Sequence, residues 1–382
     1  MVVTPTLKAA QVAQEQLGTM AFTSAWLVHQ HGFRWDEDGH WSREPVQRDA
    51  LQAQARLLPG DLLLDEAGML DQDVARALLT IADEANARIA FVGDRHQLPA
   101  VGRGGVLDHA ARHARPEACL ELETVHRFTD PEYADLTLLM RTGQRPAQVF
   151  DSLYEHGLIQ IHPSEVERLA ALTAVDGTVI ADTREQVAAL NAAIRDQRLA
   201  TGETSAAGAV TTAAGERLGV GDQIATRRND RNLGVANRDR WTVTGTDDHG
   251  GLVVRGRGGE RSLPADYVRQ HVELAYATTV HGAQGETVDQ AHLLIGEATG
   301  AAAAYVAMTR GRDHNTAHLL AETLDEARAQ WIEVFSRDRA DLGPAHARRH
   351  AIDAIEVYGA QPRRPVPQRR PSSPADGVAL GL

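Results

Sequence analysis

Two short apolar runs, each ending in polar residues, indicate neighbouring strands of a parallel sheet. Residues 61–64 lead into Asp65-Glu66, and residues 89–92 lead into Gly93-Asp94. The intervening residues 71–87 carry apolar side chains at helical spacing, namely Val74, Leu78, Ile81 and Ala82. A strand, a helix and a strand joined by short links predict a βαβ unit, whose ligands bind at the carboxyl ends of the strands.

A second α/β pattern follows further along the chain. Residues 177–181 form an apolar run, and the helical spacing of Val187, Leu190 and Ile194 comes after it. The pattern returns in three more apolar runs and in an amphipathic helix, at residues 272–276, 292–295, 316–320 and 324–335. The chain is therefore predicted to contain a second parallel sheet.

The stretch from about residue 202 to residue 272 interrupts this second pattern. Glycines are dense there, and short β-type runs occur at residues 223–225, 241–243 and 252–254. Such a pattern predicts a small antiparallel barrel or hairpin insertion.

Composition and charge narrow the classes of function. The chain is 43% hydrophobic and 24% charged, has no apolar run of membrane-spanning length, and shows no signal-peptide pattern at residues 1–5. The single cysteine, Cys119, excludes an intrachain disulfide and a cysteine-based zinc site. We therefore expect a cytoplasmic protein without membrane insertion. The net charge of -13 argues against coating of a DNA duplex, but not against a cleft that grips one strand.

The acidic pair Asp65-Glu66 has the placement of a nucleotide-hydrolysis site at the end of a buried strand. One carboxylate there can hold Mg²⁺, usually through water, while its neighbour orients an attacking water molecule. On the dipeptide alone, a solvated acidic pair at the start of a loop is an equally good explanation.

The loop at residues 93–99 strengthens the first interpretation. It carries Asp94 and Gln97 beside the acidic pair, and an amide at that place can touch both a terminal phosphate and the attacking water. Taken alone, the loop could be a capped turn. Two acid-tipped strands in one βαβ unit favour a nucleotide site.

Two arginines and one glycine-containing segment are further candidates. Arg310 follows an apolar run at residues 305–309, and Arg127 is a second candidate cation for the same phosphate. Residues 279–287 form a polar segment whose amides and hydroxyls can approach a DNA phosphate. The alternatives are a surface salt bridge for each arginine and an ordinary strand-to-helix turn for the segment. Metal binding by His281 is not expected, because no ligand spacing surrounds it.

Four aromatic residues cluster near the start of the chain: Trp26, Phe33, Trp35 and Trp41. Such residues can stack on bases. A small hydrophobic core is the more common use of such a cluster, and we favour it.

Taken in order, these segments resemble six motifs of superfamily 1 helicases, above all the RecD-like region of the TraI, TrwC and TraA conjugative relaxases of the MobF type. Residues 3–10 resemble motif Ia, residues 65–68 motif II and residues 93–99 motif III. Arg127 falls at motif IV, residues 279–287 resemble motif V and residues 305–312 motif VI. The resemblance covers roughly residues 1–345.

The resemblance implies ATP-driven movement along single-stranded DNA in the 5′-to-3′ direction, with ATP and Mg²⁺ as cofactors and conjugation proteins as possible partners. The implied catalytic residues are Glu66, Gln97, Arg127 and Arg310. Asp65 would serve Mg²⁺, and Asp65, Asp94 and Gly285 would contact the nucleotide. The residues implied to lie near DNA, or to couple DNA to ATP, are Thr4, Lys8, Thr279, His281 and Gln284.

Two departures accompany the resemblance. Motif V commonly has a lysine after the histidine, and Gly282 stands there, so the loss of one DNA-phosphate contact is expected. The family's G-x-x-x-x-G-K-[ST] phosphate loop precedes motif Ia, whereas this sequence begins at motif Ia. Lys8 is the only lysine, so none of the 382 residues can supply that loop. We therefore expect a chain cut before motif Ia and inactive on its own.

The implied fold class is α/β, with two RecA-like parallel-sheet lobes, the first incomplete, and a small SH3-like β insertion. The predicted division is 1–130 for the first lobe, 131–205 with 272–345 for the second, 206–271 for the insertion, and 346–382 for an Arg/Pro-rich disordered tail. Three functional hypotheses remain open: a relaxase helicase core, a non-catalytic remnant that binds DNA or a partner, and a fragment of a RecD-type repair helicase. The reading frame upstream of Met1 would separate the first two.

Overall fold

The computed structural model describes residues 1–36, 40–47, 51–56, 60–100, 104–122 and 125–337. All of them lie in one compact unit, Met1–Asp341. The predicted tail at residues 346–382 lies outside the described residues. Among the residues that are described, no helix combines the length and the apolar character that crossing a membrane requires.

The N-terminal part of the chain forms the first parallel sheet, in the order β2-β1-β5-β6, with a separate β3-β4 hairpin. Its elements are β1 (Val2–Thr4), α1 (Leu7–Leu17), β2 (Ala21–Thr23), α2 (Ser24–Gln30), β3 (Phe33–Trp35), β4 (Trp41–Arg43), β5 (Asp61–Leu64), α3 (Gln72–Glu84), β6 (Arg88–Phe91) and α4 (Val106–His113).

The predicted βαβ unit is confirmed. Helix α3 begins after Asp71, whose carboxylate accepts hydrogen bonds from the amides of Asp73 and Val74. The helix buries Leu78 and Ile81 in the hydrophobic core of the first sheet. Strands β5 and β6 pair in parallel, so the polar residues that follow them emerge at the same edge.

A second parallel sheet has the order β16-β8-β17-β18-β7. The elements up to the insertion are α5 (Pro131–Thr142), α6 (Pro146–Glu155), β7 (Ile159–His162), α7 (Glu165–Thr173), β8 (Thr178–Ala181) and α8 (Arg184–Ala200). The insertion contains β9 (Val210–Thr211), β10 (Arg217–Leu218), β11 (Gln223–Thr226), β12 (Arg240–Thr246), β13 (Leu252–Gly256), β14 (Gly259–Leu263), α9 (Ala265–His271) and β15 (Val272–Leu274). The elements that complete the second sheet are β16 (Ala277–Thr279), α10 (Val280–Ala283), β17 (Val288–Leu294), α11 (Ala301–Ala307), β18 (Gly311–Leu320) and α12 (Leu324–Ser336).

The insertion is antiparallel, as predicted, but its last strand lies beyond residue 271, where we predicted the insertion to end. Its main sheet has the order β14-β13-β12-β11-β15. Strand β15 covers residues 272–274, which we predicted as the return of the α/β pattern, and it pairs antiparallel with β11 instead. The parallel sheet resumes only at β16, which pairs with β8. An apolar run does not reveal which of two adjacent sheets it joins.

Of the predicted aromatic cluster, Trp26, Phe33 and Trp41 are partly buried and pack against the core of the first sheet. Trp41 contacts Phe33 and Trp35, with ring centroids 6.3 Å and 5.1 Å apart, and Trp35 is 47% exposed. The prediction of a core therefore holds for the contacts among the rings and fails for the exposure of Trp35.

The insertion is joined to the second sheet by a shared core and a buried ion pair. Trp241 and Ile224 of the insertion pack in one cluster with Val179 of β8 and Leu190 of α8. Asp222 is fully buried. Its carboxylate accepts hydrogen bonds from Arg195 Nε at 2.9 Å, from the Gly219 amide at 2.7 Å and from the Tyr276 hydroxyl at 2.7 Å.

Three buried histidines lie side by side on strands β7, β18 and β17. His162 Nε2 is 3.0 Å from His318 Nδ1, and His318 Nε2 is 3.2 Å from His292 Nδ1. His292 Nε2 lies 2.9 Å from the carbonyl oxygen of Asp176. Burial, with His292 and His162 adding to it, lowers the pKa of His318 to about 3.

We predict that Asp222→Ala lowers the free energy of unfolding by about 3–5 kcal/mol, because it leaves the buried Arg195 guanidinium without its counter-charge. Urea unfolding measures the change. Asp289→Ala is the control, since its ion pair with Arg312 is exposed on both sides and such pairs contribute at most about 1 kcal/mol. Equal losses in the two variants would refute the anchoring role.

A second prediction concerns the pH dependence of stability. The pKa of His318 is lower in the folded chain than in the unfolded one, so protons bind the unfolded chain first as the pH falls below about 6.5. The contribution of this residue is complete above that pH and is progressively lost below it. When the pH is lowered from 7.5 to 5.5, the wild-type chain should lose about 1.4 kcal/mol more of its unfolding free energy than His318→Gln loses. His314→Gln, an exposed position on the same strand, should lose as much as the wild-type chain.

Candidate functional site

The loops that follow β5 and β6 lie against each other at the edge of the first sheet. The Ala67 amide donates to the Val92 carbonyl at 2.9 Å. A Cβ atom on Gly93 would come within 3.0 Å of the Ala67 nitrogen, so the close approach requires glycine there. The two predicted polar loops therefore form one structure, which carries Glu66 and Asp94.

The acidic pair has an unusual backbone. Glu66 lies in the left-handed region, with φ 54° and ψ 37°, and its amide donates to Asp65 Oδ1 at 2.9 Å. A non-glycine residue in this conformation costs about 1–3 kcal/mol and is found most often at functional sites.

Asp94 is bound by residues of the second-sheet region. Its Oδ2 accepts from the Tyr305 hydroxyl at 2.8 Å, and its Oδ1 accepts from Arg141 Nε at 3.3 Å and from the His96 amide at 2.9 Å. Leu98, four residues later, packs in the core cluster of the second sheet. The predicted nucleotide contact of Asp94 is therefore already engaged in joining the two sheets.

Arg127 and Arg310 meet at Thr309. Arg127 Nη1 donates to the Thr309 carbonyl at 2.5 Å, and Arg310 Nη2 donates to Thr309 Oγ1 at 3.0 Å. Arg310 also donates through Nε to the Val306 carbonyl at 2.8 Å, and only 2% of the residue is exposed. The structure thus brings together two arginines that are 183 positions apart in the sequence (310 minus 127).

The charges of the acidic pair and of the two arginines act on one another. Burial raises the pKa of Glu66, Asp65 raises it further, and Arg310 and Arg127 partly oppose the rise. Burial, followed by the charge of Arg127, lowers the pKa of Arg310 to about 10. The charges of one acid and of two guanidinium groups therefore act on Glu66 in opposite directions.

Two glutamines connect the first sheet to the motif V segment. Gln284 Nε2 lies 3.4 Å from Gln97 Oε1 and 3.4 Å from the Leu98 carbonyl oxygen. Gln284 Oε1 is buried and has no hydrogen-bond partner among the described residues. Gln97, expected at the phosphate, and Gln284, expected near DNA, are thus neighbours.

Glu286 is a site residue that sequence reasoning missed. It is 8% exposed and forms an ion pair with Lys8, and one of its oxygens lies 3.8 Å from Arg240 Nη1. Its backbone oxygen is 3.4 Å from Arg310 Nη1. Glu286 thus lies between the predicted DNA-side lysine and the predicted phosphate-side arginine. Its place inside the motif V segment was the available signal.

The remaining predicted site residues differ in how far they are exposed to solvent. Thr279 Oγ1 accepts from the Gly282 amide at 3.1 Å and caps α10. His281 and Gly285 are exposed. Thr4 is fully buried, and its hydroxyl donates to the Thr6 carbonyl at 2.8 Å. Thr4 has no exposed atom to offer DNA, and we leave it out of the proposed contacts.

No cluster of three or more His, Cys, Asp or Glu side chains suited to a metal ion occurs within the described part of the chain.

Comparison with known proteins supports the resemblance. Residues 1–164 match the family model described as an AAA domain. The chain is 28% identical over 319 residues to a probable conjugal transfer protein TraA of Sinorhizobium fredii. This alignment covers 80% of this chain and 27% of that protein. It is 28% identical over 264 residues to the RecD subunit of the RecBCD enzyme of Mycolicibacterium smegmatis, or 63% of this chain and 46% of that one.

A shorter and more similar match is an uncharacterized protein of Mycobacterium tuberculosis, 39% identical over 95 residues. That match covers 24% of this chain and 55% of the other protein. The chain thus spans about half of the mycobacterial protein and about a quarter of TraA.

Among solved structures, a Bacteroides Pif1 helicase bound to single-stranded DNA superposes with a TM-score of 0.56 at 18% identity. The superposition covers 94% of this chain and 88% of that one, which confirms the α/β fold class. Residues 1–164 thus match an AAA domain, and most of the chain is similar in sequence to RecD and to the TraA conjugal transfer proteins.

Proposed function

We propose that this chain is the core of an ATP-dependent, 5′-to-3′ single-stranded DNA translocase or helicase belonging to a conjugative relaxase. The observation that carries the proposal is the meeting of Arg127 and Arg310 at Thr309, with the charges of both arginines acting on Glu66. A carboxylate that orients water and two guanidinium groups that neutralise phosphate charge are the complement needed for phosphoryl transfer. The division into two lobes and an insertion is part of this proposal.

The residues present fit the terminal-phosphate side of a nucleotide. Two guanidinium groups supply the positive charge, and Gln97, whose Oε1 accepts from Gln284 Nε2, can donate from its own Nε2 to a phosphate oxygen. The inner phosphates lack their usual cradle, because none of the 382 residues form a G-x-x-x-x-G-K-[ST] loop. ATP bound with Mg²⁺ supplies the phosphoryl group whose transfer to water drives strand movement.

Each site residue has a proposed role that follows from its surroundings. The raised pKa of Glu66 suits a carboxylate that accepts a proton from water. Asp65 would hold Mg²⁺ through water, and Gln97 would contact the terminal phosphate. Arg127 and Arg310 would neutralise developing charge, and the bond from Arg310 Nε to the Val306 carbonyl leaves N–H donors on its two Nη groups for a phosphate.

The proposed DNA side consists of Lys8, Thr279, His281 and Gln284. Lys8 is 28% exposed and paired with Glu286, so a DNA phosphate would have to compete with that carboxylate. Gln284 contacts Gln97 directly. A movement of residues 279–287 on DNA binding would therefore be passed to Gln97, on the phosphate side, through its hydrogen bond with Gln284.

Two other functions are alternatives to this proposal. One is a non-catalytic module that binds DNA or a partner protein. The similarity to RecD favours a fragment of a repair helicase. A neighbouring DNA-nicking domain in the same protein would decide for conjugation over repair.

The 382-residue polypeptide should bind single-stranded DNA but show little or no DNA-stimulated ATP hydrolysis, because the phosphate cradle is missing from it. Fluorescence anisotropy with labelled oligonucleotides and a phosphate-release assay measure the two properties. Robust turnover that Glu66→Gln abolishes would overturn the expected inactivity. Absence of DNA binding would overturn the translocase proposal.

A longer polypeptide that adds a strand and phosphate loop before residue 1 should hydrolyse ATP. In it, Arg310→Ala should reduce turnover by about a thousandfold or more, with little change in DNA affinity. Arg312→Ala is the matched control, since Arg312 is exposed and pairs with Asp289. Continued lack of turnover would favour the non-catalytic module, and equal loss of hydrolysis and binding would contradict the assigned role of Arg310.

A further inference from the structure

Arg238 lies in a fixed turn between β11 and β12 of the insertion. Its backbone is left-handed, with φ 70°, and its amide donates to the Thr226 carbonyl at 2.5 Å. The turn is closed by the Asp239 carboxylate, which accepts from the Ala236 amide at 2.7 Å. The side chain of Arg238 therefore starts from a defined position.

The guanidinium group of Arg238 rests directly on Gly282 of the motif V segment. A Cβ atom on Gly282 would overlap Nη1 of Arg238 and would lie 3.2 Å from its Cζ. The space that a side chain at position 282 would occupy is thus taken by a cation from another element, together with the Thr278 hydroxyl, which that Cβ atom would also overlap. That cation stands next to the exposed His281.

Arg238 has no anionic partner, unlike its neighbours. Arg240 donates to Thr178 Oγ1 at 2.6 Å and approaches Glu286, and Arg227 pairs with Glu273 at 2.7 Å. No described residue forms a salt bridge or a hydrogen bond with the Arg238 side chain, which is half-buried.

The electrostatic surroundings of Arg238 also favour an incoming anion. Burial lowers the pKa of Arg238 and the charge of Arg227 lowers it further, while Glu273 and Glu286 oppose the fall and Arg184 makes the smallest contribution. An arginine remains protonated at neutral pH in spite of such shifts. A phosphate at this place would supply this guanidinium with a counter-charge in direct contact.

We propose that Arg238 binds a phosphodiester of single-stranded DNA where the insertion meets Gly282, which makes it a strand-binding residue contributed by the insertion. The proposal rests on the proposed DNA-binding function. The planar fork of the guanidinium suits two phosphate oxygens at once. The expectation that Gly282 removes a phosphate contact changes accordingly, because the insertion supplies a cation at the same place.

Arg238→Gln should weaken binding of a labelled oligothymidylate by about tenfold at 0.1 M salt, the effect of one charged hydrogen-bonded contact. The slope of log K against log salt should fall by about 0.7, as for one phosphate on a single strand. Arg238→Lys should keep the slope, because it keeps the charge. Arg255→Ala, an exposed position on the same insertion, should change neither quantity.

A second variant tests the contact without removing the charge. Gly282→Ala would displace both the guanidinium and the Thr278 hydroxyl. It should therefore weaken binding more in the wild-type background than in the Arg238→Gln background, where only the Thr278 contact is left to disturb. Thermal melts identify a single variant that has merely become less stable. The coupling between the two substitutions supports the proposal even in that case.

The outcomes separate the two proposals. A wild-type chain that fails to bind the oligonucleotide overturns the DNA-binding function and this inference with it. A wild-type chain that binds, with Arg238→Gln matching it in affinity and salt slope, overturns the assignment of Arg238 alone.

Discussion

The carboxylate of Asp94 fixes the relation between the two parallel sheets at the candidate site. It belongs to the loop after β6 and accepts hydrogen bonds from Tyr305 and Arg141 of the second-sheet region. Because the same loop packs against Ala67, the position of Glu66 relative to Arg310 depends on these bonds. The polar contacts at Asp94, reinforced by Leu98 in the second core, thus determine whether acid and arginine face each other.

The chain itself has a net charge of -13, so binding of an anion depends on individual cations rather than on overall charge. Its cations near the proposed strand path are arginines and a single lysine, and carboxylates engage most of them. Glu286 pairs with Lys8 and approaches Arg240, and Glu273 pairs with Arg227. DNA binding at such a surface is an exchange of partners, in which a phosphate replaces a carboxylate, rather than attraction to a uniformly positive face.

Much of the fold follows from periodicity. The apolar run ending at Asp65 and the one ending at Asp94 belong to adjacent parallel strands, and adjacency alone brings the two acids to one edge. The long-range contacts do not follow. Nothing in the spacing pairs Lys8 with Glu286, brings Arg127 to Thr309, or turns Asp94 toward Tyr305, because these depend on how two sheets pack. The same limit applies at residues 272–274, which satisfied the pattern of either sheet.

The hydrogen bonds along the three histidines on β7, β18 and β17 all run in one direction. A carbonyl oxygen only accepts, so His292 must place its proton on Nε2, toward Asp176, and leave Nδ1 as an acceptor. His318 must then donate from Nε2 and accept at Nδ1, and His162 must donate from Nε2. One backbone oxygen therefore sets the tautomer of three neutral rings, and reversing any one of them would leave two lone pairs or two protons facing each other in the interior of the sheet.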